Sequence, residues 1–344
     1  MRRTGCLIEQ IAEMDNLLMA FYKAQKCKNA KAEVVRYREH LQDHLLRMRQ
    51  QLLSGRVDVG HYHTFMIYDP KKRTICATAF DERVLQHALM RVCHCYFDRH
   101  LISDTYATRL GKGTYAALDR AHRAMAHYRY VAKLDVRKYF DSVDHALLKA
   151  QLARLFKDPV LLSVFDQIID SYQSDRPGCG LPMGNLTSQY FANHYLSAFD
   201  HFVKERLRVP CYIRYMDDFI ILGEDLAELR EMLKKIDAFV TKRLRLELNP
   251  KTTILAAKNG VDFVGYRHFA DFKIIRKAAT RRLKKMIHAF ETGEVDEELF
   301  DASINSRIAY MDKADEFMLC ADIKEQIKAI KLITIGRFDC VICG

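Results

Sequence analysis

The sequence lacks the features of a membrane or secreted protein. It has no uninterrupted apolar run of about eighteen residues, so we expect no membrane-spanning helix. The basic start Met1-Arg2-Arg3 is not followed by an apolar stretch, which argues against a targeting signal. Internal repeats and low-complexity linkers are also missing. Together these absences favour a globular protein of the cytoplasm.

The ten cysteines form no disulfide or zinc framework that spacing reveals. Cys93-His94-Cys95 is too tightly spaced for a usual zinc pair, and Cys340-Val341-Ile342-Cys343 has no second pair nearby. We therefore expect free thiols, buried or incidental, in a reducing cytosol.

Positive charge and apolar content are what the sequence has in quantity. Its 344 residues carry a formal net charge of +11, and 49% of them are hydrophobic. Such a chain can bury a substantial core, and it suits a polyanionic partner such as nucleic acid. Ordinary surface charge is an alternative explanation for this basic composition. The sequence motifs described below decide between the two.

Apolar periodicity and turn residues predict the helices and strands of the chain. The expected helices are 5–55, 81–97, 145–172, 187–207, 226–244, 296–313 and 322–335, with a basic helix from 276 onward. The expected hairpins and closing strands are 61–75, 211–222 and 261–275.

The most informative segment is an Asp pair inside an apolar hairpin pattern. Cys211–Arg214 and Phe219–Leu222 predict two short strands, and Tyr215-Met216-Asp217-Asp218 predicts the tight turn between them. Two adjacent like charges repel, and Asp has a low strand propensity. A bound divalent cation would explain the pair, although a solvated turn also accommodates such residues.

A third carboxylate lies upstream, where Tyr130–Val136 predicts a short strand that holds Asp135 near its end. Hard oxygen ligands of this kind suit Mg²⁺. Two such ions can activate an attacking hydroxyl and stabilise a leaving pyrophosphate. Nucleotidyl transfer requires this combination of positioning and charge stabilisation.

With these residues in place, the sequence resembles the reverse transcriptases. Tyr215–Asp218 matches their YxDD motif, and Asp135 with Phe140 five residues later matches their first palm motif. Further family motifs are resembled, in the family's order, by 69–75, 81–89, 249–252 and 261–266. The resemblance implies an α+β right-hand polymerase with an antiparallel palm sheet, helical fingers and a three-helix thumb.

The same resemblance implies a division of the chain and two Mg²⁺ ions, with Mn²⁺ as an alternative. The expected parts are a helical extension over 1–60, fingers over 61–134, a palm over 135–270 and a thumb over 271–344, with a fingers segment near 145–182 inside the palm. The expected partners are template RNA, a primer or cDNA, dNTPs and a small basic accessory protein.

Residue roles also follow from the resemblance. The metal ligands would be Asp135, the main-chain carbonyl of Val136, Asp217 and Asp218. Lys251 would protonate the pyrophosphate as a general acid. The incoming nucleotide would contact Lys71, Arg73, Phe140, Met183, Gly184 and Gln189. The primer and template would contact Tyr215, Met216, Phe263, Gly265, Arg276, Lys277, Arg281 and Arg282.

Plainer alternatives stand beside several of these roles. Phe140, expected to clash with a 2′-hydroxyl and so favour dNTPs, has the alternative of a core aromatic. Lys71 and Lys251 have the alternative of solvated turn lysines. The basic stretch 276–285, with six Lys or Arg, has the alternative of a solvated helix face.

One segment narrows the family branch. Met183 stands where most reverse transcriptases have Gln, and the pattern Gly184-x-x-x-Ser188-Gln189 resembles the enzymes of diversity-generating retroelements. Those enzymes copy a template RNA with errors at adenines. Since a Met side chain makes no directional hydrogen bond, we expect a pocket that checks base-pair geometry less strictly.

Two other function classes remain open at this point. One is a retron-type or defence-type reverse transcriptase, or a template-independent nucleotidyl transferase. The other is a non-catalytic RNA-binding scaffold of polymerase descent, which the presence of all three carboxylates disfavours.

Overall fold

A computed structural model describes residues 5–68 and 72–342, with side chains described as far as Lys331. The expected phosphate contact Lys71, with Asp69 and Pro70 at the predicted hairpin tip, lies outside the described residues. So does Cys343, the second cysteine of the Cys340–Cys343 spacing for which no zinc site was expected. In the described part of the chain, no helix has both the length and the apolar character needed to cross a membrane.

The described chain combines helices with antiparallel strands, as the predicted α+β class requires. Its helices are α1 (Ile8–Ile11), α2 (Met14–Ala24), α3 (Ala32–Glu39), α4 (Leu41–Ser54), α5 (Phe80–His100), α6 (Thr114–Met125), α7 (Tyr139–Ser142), α8 (His145–Leu155), α9 (Pro159–Asp170), α10 (Leu186–Tyr195), α11 (Ser197–His201), α12 (Leu226–Leu244), α13 (Lys277–Glu291), α14 (Glu297–Met311) and α15 (Phe317–Ile342). Its strands are β1 (Tyr62–Ile67), β2 (Arg73–Thr78), β3 (Tyr130–Asp135), β4 (Cys211–Tyr215), β5 (Asp218–Gly223), β6 (Thr253–Ala256), β7 (Val261–Phe263), β8 (Tyr266–His268) and β9 (Lys273–Ile275).

Backbone contacts divide the chain into two compact units. Unit 1 comprises Met1–Gly113, Leu134–Val209 and Arg230–Lys251. Unit 2 comprises Thr114–Lys133, Pro210–Leu229 and Thr252–Gly344. These units group chain segments differently from the expected extension, fingers, palm and thumb, and that fourfold division stays a prediction.

Unit 1 is mostly helical, and two of its predicted helices are interrupted. The stretch 5–55 forms four helices, the last of which ends at Gly55, whose φ of +69° suits a residue without a side chain. The stretch 145–172 breaks before α9 because Asp158 caps that helix through the amides of Val160 and Leu161, and Pro159 occupies its first turn.

The predicted helix 187–207 is also divided. It consists of α10, α11 and a π-helical turn over Phe202–Arg206. The turn stacks Phe202 on Phe239 of α12, with ring centroids 4.2 Å apart, while Phe199 and Val203 stay fully buried. The apolar face that the sequence predicted is therefore core, although the helix that carries it is not continuous.

Unit 2 contains most of the larger sheet, whose strand order is β4-β5-β3-β6. The pairs β4/β5 and β3/β6 are antiparallel, as is the separate three-stranded sheet β7-β8-β9. Helices α13, α14 and α15 follow these strands and share an apolar core that includes Leu283, Phe290, Phe300 and Ile304. Three helices after the last strands agree with the expected C-terminal arrangement.

Candidate active site

The Asp pair lies on a hairpin in unit 2, as predicted. Strands β4 and β5 pair so that Tyr215 faces Asp218, which leaves Met216 and Asp217 as a two-residue turn. Met216 has φ +57°, in the left-handed region that a side chain makes costly, by roughly 1–2 kcal/mol. Strain of this kind persists only where the surroundings hold the chain in place.

Two contacts hold this turn. Arg214 is fully buried, and its Nη1 donates a hydrogen bond to the Met216 carbonyl at 3.0 Å. Thr114 donates through Oγ1 to the Tyr215 hydroxyl at 3.2 Å. Since a buried guanidinium is tolerated only when it is hydrogen-bonded, Arg214 is a structural support of the turn. Sequence reasoning overlooked it because an Arg in an apolar strand gives no indication of its partner.

Asp218, at the start of β5, has a cationic neighbour. Lys133 Nζ lies 3.4 Å from Asp218 Oδ1 and donates to the Asp262 carbonyl at 2.6 Å. Both side chains are about a quarter exposed, at 27% for Lys133 and 26% for Asp218. The ammonium therefore offsets part of the negative charge on this carboxylate. The sequence did hold one signal for Lys133. It lies two residues before Asp135, and alternate residues of a strand share a face.

Asp135 ends β3 and belongs to unit 1, where the segment before Lys251 holds it. Asn249 donates through Nδ2 to Asp135 Oδ2 at 3.2 Å, and through its main-chain N–H to the Asp135 carbonyl at 2.7 Å. Val136 forms a β-bridge with Leu248. The carboxylate is therefore oriented by the same segment whose Asn-Pro-Lys pattern the sequence singled out.

The contacts of Lys251 and Phe140 do not test the roles expected for them, which stay predictions. Lys251 is exposed, and its main-chain N–H donates to Asn249 Oδ1 at 3.1 Å in a turn. Phe140 is half-buried, whereas its neighbour Tyr139 is only 2% exposed and donates to the Ala192 carbonyl. The core aromatic of this pair is Tyr139.

The expected nucleotide loop packs on strand β2. The main-chain N–H of Cys76 donates to the Met183 carbonyl at 2.8 Å. Gly184 has φ +118°, and a Cβ there would lie 3.0 Å from Ile75 Cγ2. Only glycine permits this close approach. Met183 itself is half-buried, and Arg73, at the start of β2, is exposed.

A buried polar pair supports the start of α10 behind this loop. Gln86 is 1% exposed and accepts a hydrogen bond from the Leu186 N–H at 2.9 Å. Glu82, 2% exposed, lies beside it and accepts from the Gly60 N–H at 3.0 Å. Burial raises the pKa of the Glu82 carboxyl. The expected contact Gln189 is exposed on α10.

The second predicted turn, between β7 and β8, carries Phe263 and Gly265. Phe263 pairs with Tyr266, so Val264 and Gly265 form the turn, with φ of +45° and +90°. Two positive φ values are the feature of a type I′ hairpin, and they are costly for a β-branched residue. Tyr310 of α14 donates to the Gly265 carbonyl at 2.6 Å.

The predicted basic helix is α13, which is amphipathic. Leu283 and Ile287 are buried in the core of unit 2. Arg276 precedes its first turn and lies 3.6 Å from Asp262. The remaining cationic side chains are half-buried at Arg282 and exposed at Lys277, Arg281, Lys284 and Lys285.

The donor groups near the candidate site indicate which metal ion could bind there. Within the described ranges, no three His, Cys, Asp or Glu side chains gather as a preformed metal cage. Mg²⁺ keeps several waters and is usually held through one or two carboxylates plus substrate phosphates. The carboxylates of Asp217 and Asp218, adjacent on one turn, fit that donor chemistry, and the ion itself remains a prediction. No cysteine whose side chain the structure describes forms a disulfide.

Comparison with known proteins identifies the family of this chain. Residues 68–268, more than half of the chain, match the family model described as reverse transcriptase (RNA-dependent DNA polymerase). Protein YkfC of Escherichia coli (strain K12) is 22% identical over 270 residues, which cover 64% of this chain and 70% of that protein. The putative COX1/OXI3 intron 1 protein of Saccharomyces cerevisiae is 18% identical over 134 residues, which cover 37% of this chain and 16% of that protein.

Solved structures of telomerases also resemble the chain at a low level. Telomerase from Candida albicans, solved with a fragment of telomeric RNA, aligns with a TM-score of 0.49 and 12% identity over 83% of this chain. Apo telomerase from Candida tropicalis, truncated from its C-terminal domain, aligns with a TM-score of 0.47 and 14% identity over 62% of this chain. The alignments span 61% and 54% of those two chains.

Proposed function

The chain belongs to the reverse transcriptase family, and from that premise we propose that it copies a template RNA into DNA by two-metal nucleotidyl transfer. The observation that carries the proposal is the Asp217-Asp218 turn, which lies inside the family match. A hydrogen bond from the buried Arg214 holds the strained Met216 of this turn. A solvated loop would need neither the strain nor the support.

The proposed metal site uses the three carboxylates that the family motifs identify. Asp135, Asp217 and Asp218 would hold two Mg²⁺ ions, with the main-chain carbonyl of Val136 completing one shell. Bound Mg²⁺ supplies an activated primer hydroxyl and charge stabilisation of the pyrophosphate. Lys133 limits the repulsion that the neighbouring carboxylates would feel before substrate arrives.

The remaining roles concern the nucleotide. Arg73, exposed at the start of β2, suits a forked contact with triphosphate oxygens. The half-buried ring of Phe140 would exclude a 2′-hydroxyl, and the exposed ammonium of Lys251 would donate a proton to the pyrophosphate. On this proposal α13 follows the template–primer backbone through phosphate contacts, which carry no sequence preference.

We further propose that the enzyme serves a diversity-generating retroelement and makes errors at template adenines. The support is Met183, which occupies the expected Gln position with its main chain tied to β2. On this proposal, the tied main chain would hold a side chain that makes no directional hydrogen bond beside the incoming nucleotide. A small basic accessory protein is part of this proposal on family resemblance alone.

The polymerase proposal is tested with Asp217→Asn, which keeps the side-chain volume and removes the charge. We expect primer extension on an RNA template with Mg²⁺ and dNTPs to fall at least about a thousandfold, since charge stabilisation is the main catalytic contribution. RNA affinity should stay close to that of the wild type. Asp237→Asn, at an exposed site on α12, is the matched control. Substantial activity in the Asp217 variant would overturn the assignment.

The retroelement proposal is tested separately with Met183→Gln. Sequenced cDNA should show fewer errors opposite adenines, because the Gln amide restores a directional hydrogen bond. Met183→Leu, which keeps an apolar side chain, should leave the error spectrum unchanged. An unaltered spectrum in the Gln variant would remove Met183 from the account while leaving the polymerase proposal in place.

A further inference from the structure

A lysine of unit 2 lies beside one carboxylate of the Asp turn. Lys133 Nζ is 3.4 Å from Asp218 Oδ1 and 3.5 Å from Oδ2. Oδ1 is buried, whereas the Asp218 side chain as a whole is 26% exposed, so Oδ2 is the oxygen that is available to a bound ion. The ammonium and a divalent cation would therefore compete for the same end of this carboxylate.

A main-chain carbonyl anchors the same ammonium independently of Asp218. Lys133 Nζ donates to the Asp262 carbonyl at 2.6 Å, which is shorter than either of its contacts with the carboxylate. The Asp262 side chain has a cation of its own, because its Oδ2 lies 3.6 Å from Arg276 Nε. Lys133 can therefore stay in place when its longer contact with Asp218 is lost to another cation.

The charges of the turn would otherwise favour a bound cation. Asp217 and Asp218 are consecutive residues at one tight turn, and two adjacent carboxylates repel each other unless a cation offsets their charge. An anchored ammonium offsets part of this charge, and it also repels an approaching Mg²⁺ or Mn²⁺ ion. The attraction that remains for a divalent ion is therefore weaker than the two aspartates alone would provide.

We propose that Lys133 is a built-in counter-ion that weakens the binding of a divalent cation at Asp218. Lys133 is a positioning residue in this account, because it acts through Asp218 and not on the substrate. The inference rests on the proposed function, which assigns the ion to Asp217 and Asp218. The alternative is a purely structural lysine that joins β3 to β7, and its removal would loosen the turn and weaken metal binding. The two explanations therefore predict changes of opposite sign.

The test measures Mn²⁺ binding to the full-length chain without nucleotide, from the electron paramagnetic resonance signal of the free ion. Lys133→Met keeps a long side chain and removes the charge, whereas Lys133→Gln removes the charge and keeps a donor for the Asp262 carbonyl. We expect both variants to bind Mn²⁺ about tenfold or more tightly than the wild type, because the repulsion from one unit charge is lost. Lys133→Arg, which keeps the charge, should stay within about threefold of the wild type.

Lys258→Met is the matched control within unit 2. Lys258 is exposed, and the N–H of the preceding Ala257 donates to the Arg129 carbonyl at 2.8 Å, just before β3 begins. Arg129 is four residues along the chain from Lys133, which corresponds to roughly 13 Å in an extended strand. That separation exceeds the Debye length of about 8 Å at physiological salt, so the control should change Mn²⁺ affinity less than about twofold.

Tighter Mn²⁺ binding by the variants without the charge supports the inference, and Lys133→Gln decides alone if Lys133→Met does not fold. Unchanged or weaker binding by these variants, together with loss of binding in Asp217→Asn, overturns the inference and leaves the proposed metal site in place. Mn²⁺ binding that no substitution changes, Asp217→Asn included, overturns the inference and the metal assignment of the proposed function together. Absence of Mn²⁺ binding in every protein overturns the inference, and DNA synthesis on an RNA template then tests the proposed function by itself.

Discussion

Gly184 is the position where a single methyl group tests the nucleotide loop most sharply. In Gly184→Ala, the alanine would have to keep φ +118°. Its Cβ would lie 3.0 Å from Ile75 Cγ2 and 3.2 Å from the Cys76 carbonyl oxygen. Backbone strain of this kind costs about 2–3 kcal/mol. The contact with Ile75 also pushes the loop away from β2, and the weakened hydrogen bond from Cys76 to Met183 adds a further cost of about 1 kcal/mol.

The expected loss is therefore about 3–4 kcal/mol in the free energy of unfolding, which for a unit of 150–250 residues lowers the Tm by roughly 6–16 °C. Differential scanning calorimetry measures the shift, and steady-state primer extension should show a raised KM for dNTPs. Gly178→Ala is the control, since its φ is +68° and no atom lies within 4 Å of the added Cβ. That variant should lose only about 1 kcal/mol.

Equal Tm shifts for the two glycine variants would refute the reasoning, because the contact with β2 would then contribute nothing. A Gly184→Ala protein with normal Tm and normal KM would refute it as well.

Three further predictions follow from single side chains. Phe140→Ala should admit ribonucleotides, measured as the ratio of kcat/KM for dNTP and NTP, and an unchanged ratio would assign the ring to packing. Replacing Arg281 and Lys285 with Ala should reduce the slope of log affinity against log salt by about 0.9 for each lost phosphate contact, and an unchanged slope would indicate a solvated face. His194 stays neutral in the fold, so stability should fall as pH drops below its unfolded pKa of 6.5 towards about 3, by up to about 1.4 kcal/mol per pH unit; His194→Phe should flatten that dependence, and an equal slope would contradict it.

Local patterns made much of the architecture predictable. The Asp217-Asp218 hairpin follows from two apolar runs of strand length and a short polar turn, and its observed register matches that expectation. Helix α12 begins and ends where its apolar spacing predicts. The sequence also holds a signal for the break in the expected helix 145–172, because Asp158 followed by Pro159 is typical of a helix start.

Long-range partners account for what the sequence did not reveal. Arg214, Lys133 and Gln86 each act on a group far along the chain or on a strained turn, and nothing in their neighbours identifies that group. The left-handed conformations of Met216 and Val264 are similarly invisible, since both residue types disfavour them. Such strain arises only from tertiary packing, and it falls at two turns that carry candidate site residues.

The central claim is tested most directly by DNA synthesis on a defined RNA template with Mg²⁺ and dNTPs, followed by sequencing of the product. The account predicts template-matched cDNA, absent with Asp217→Asn, with errors concentrated opposite adenines. Faithful cDNA would preserve the polymerase and contradict the retroelement branch. DNA unrelated to the template, or no DNA with or without added cellular partners, would contradict the account itself.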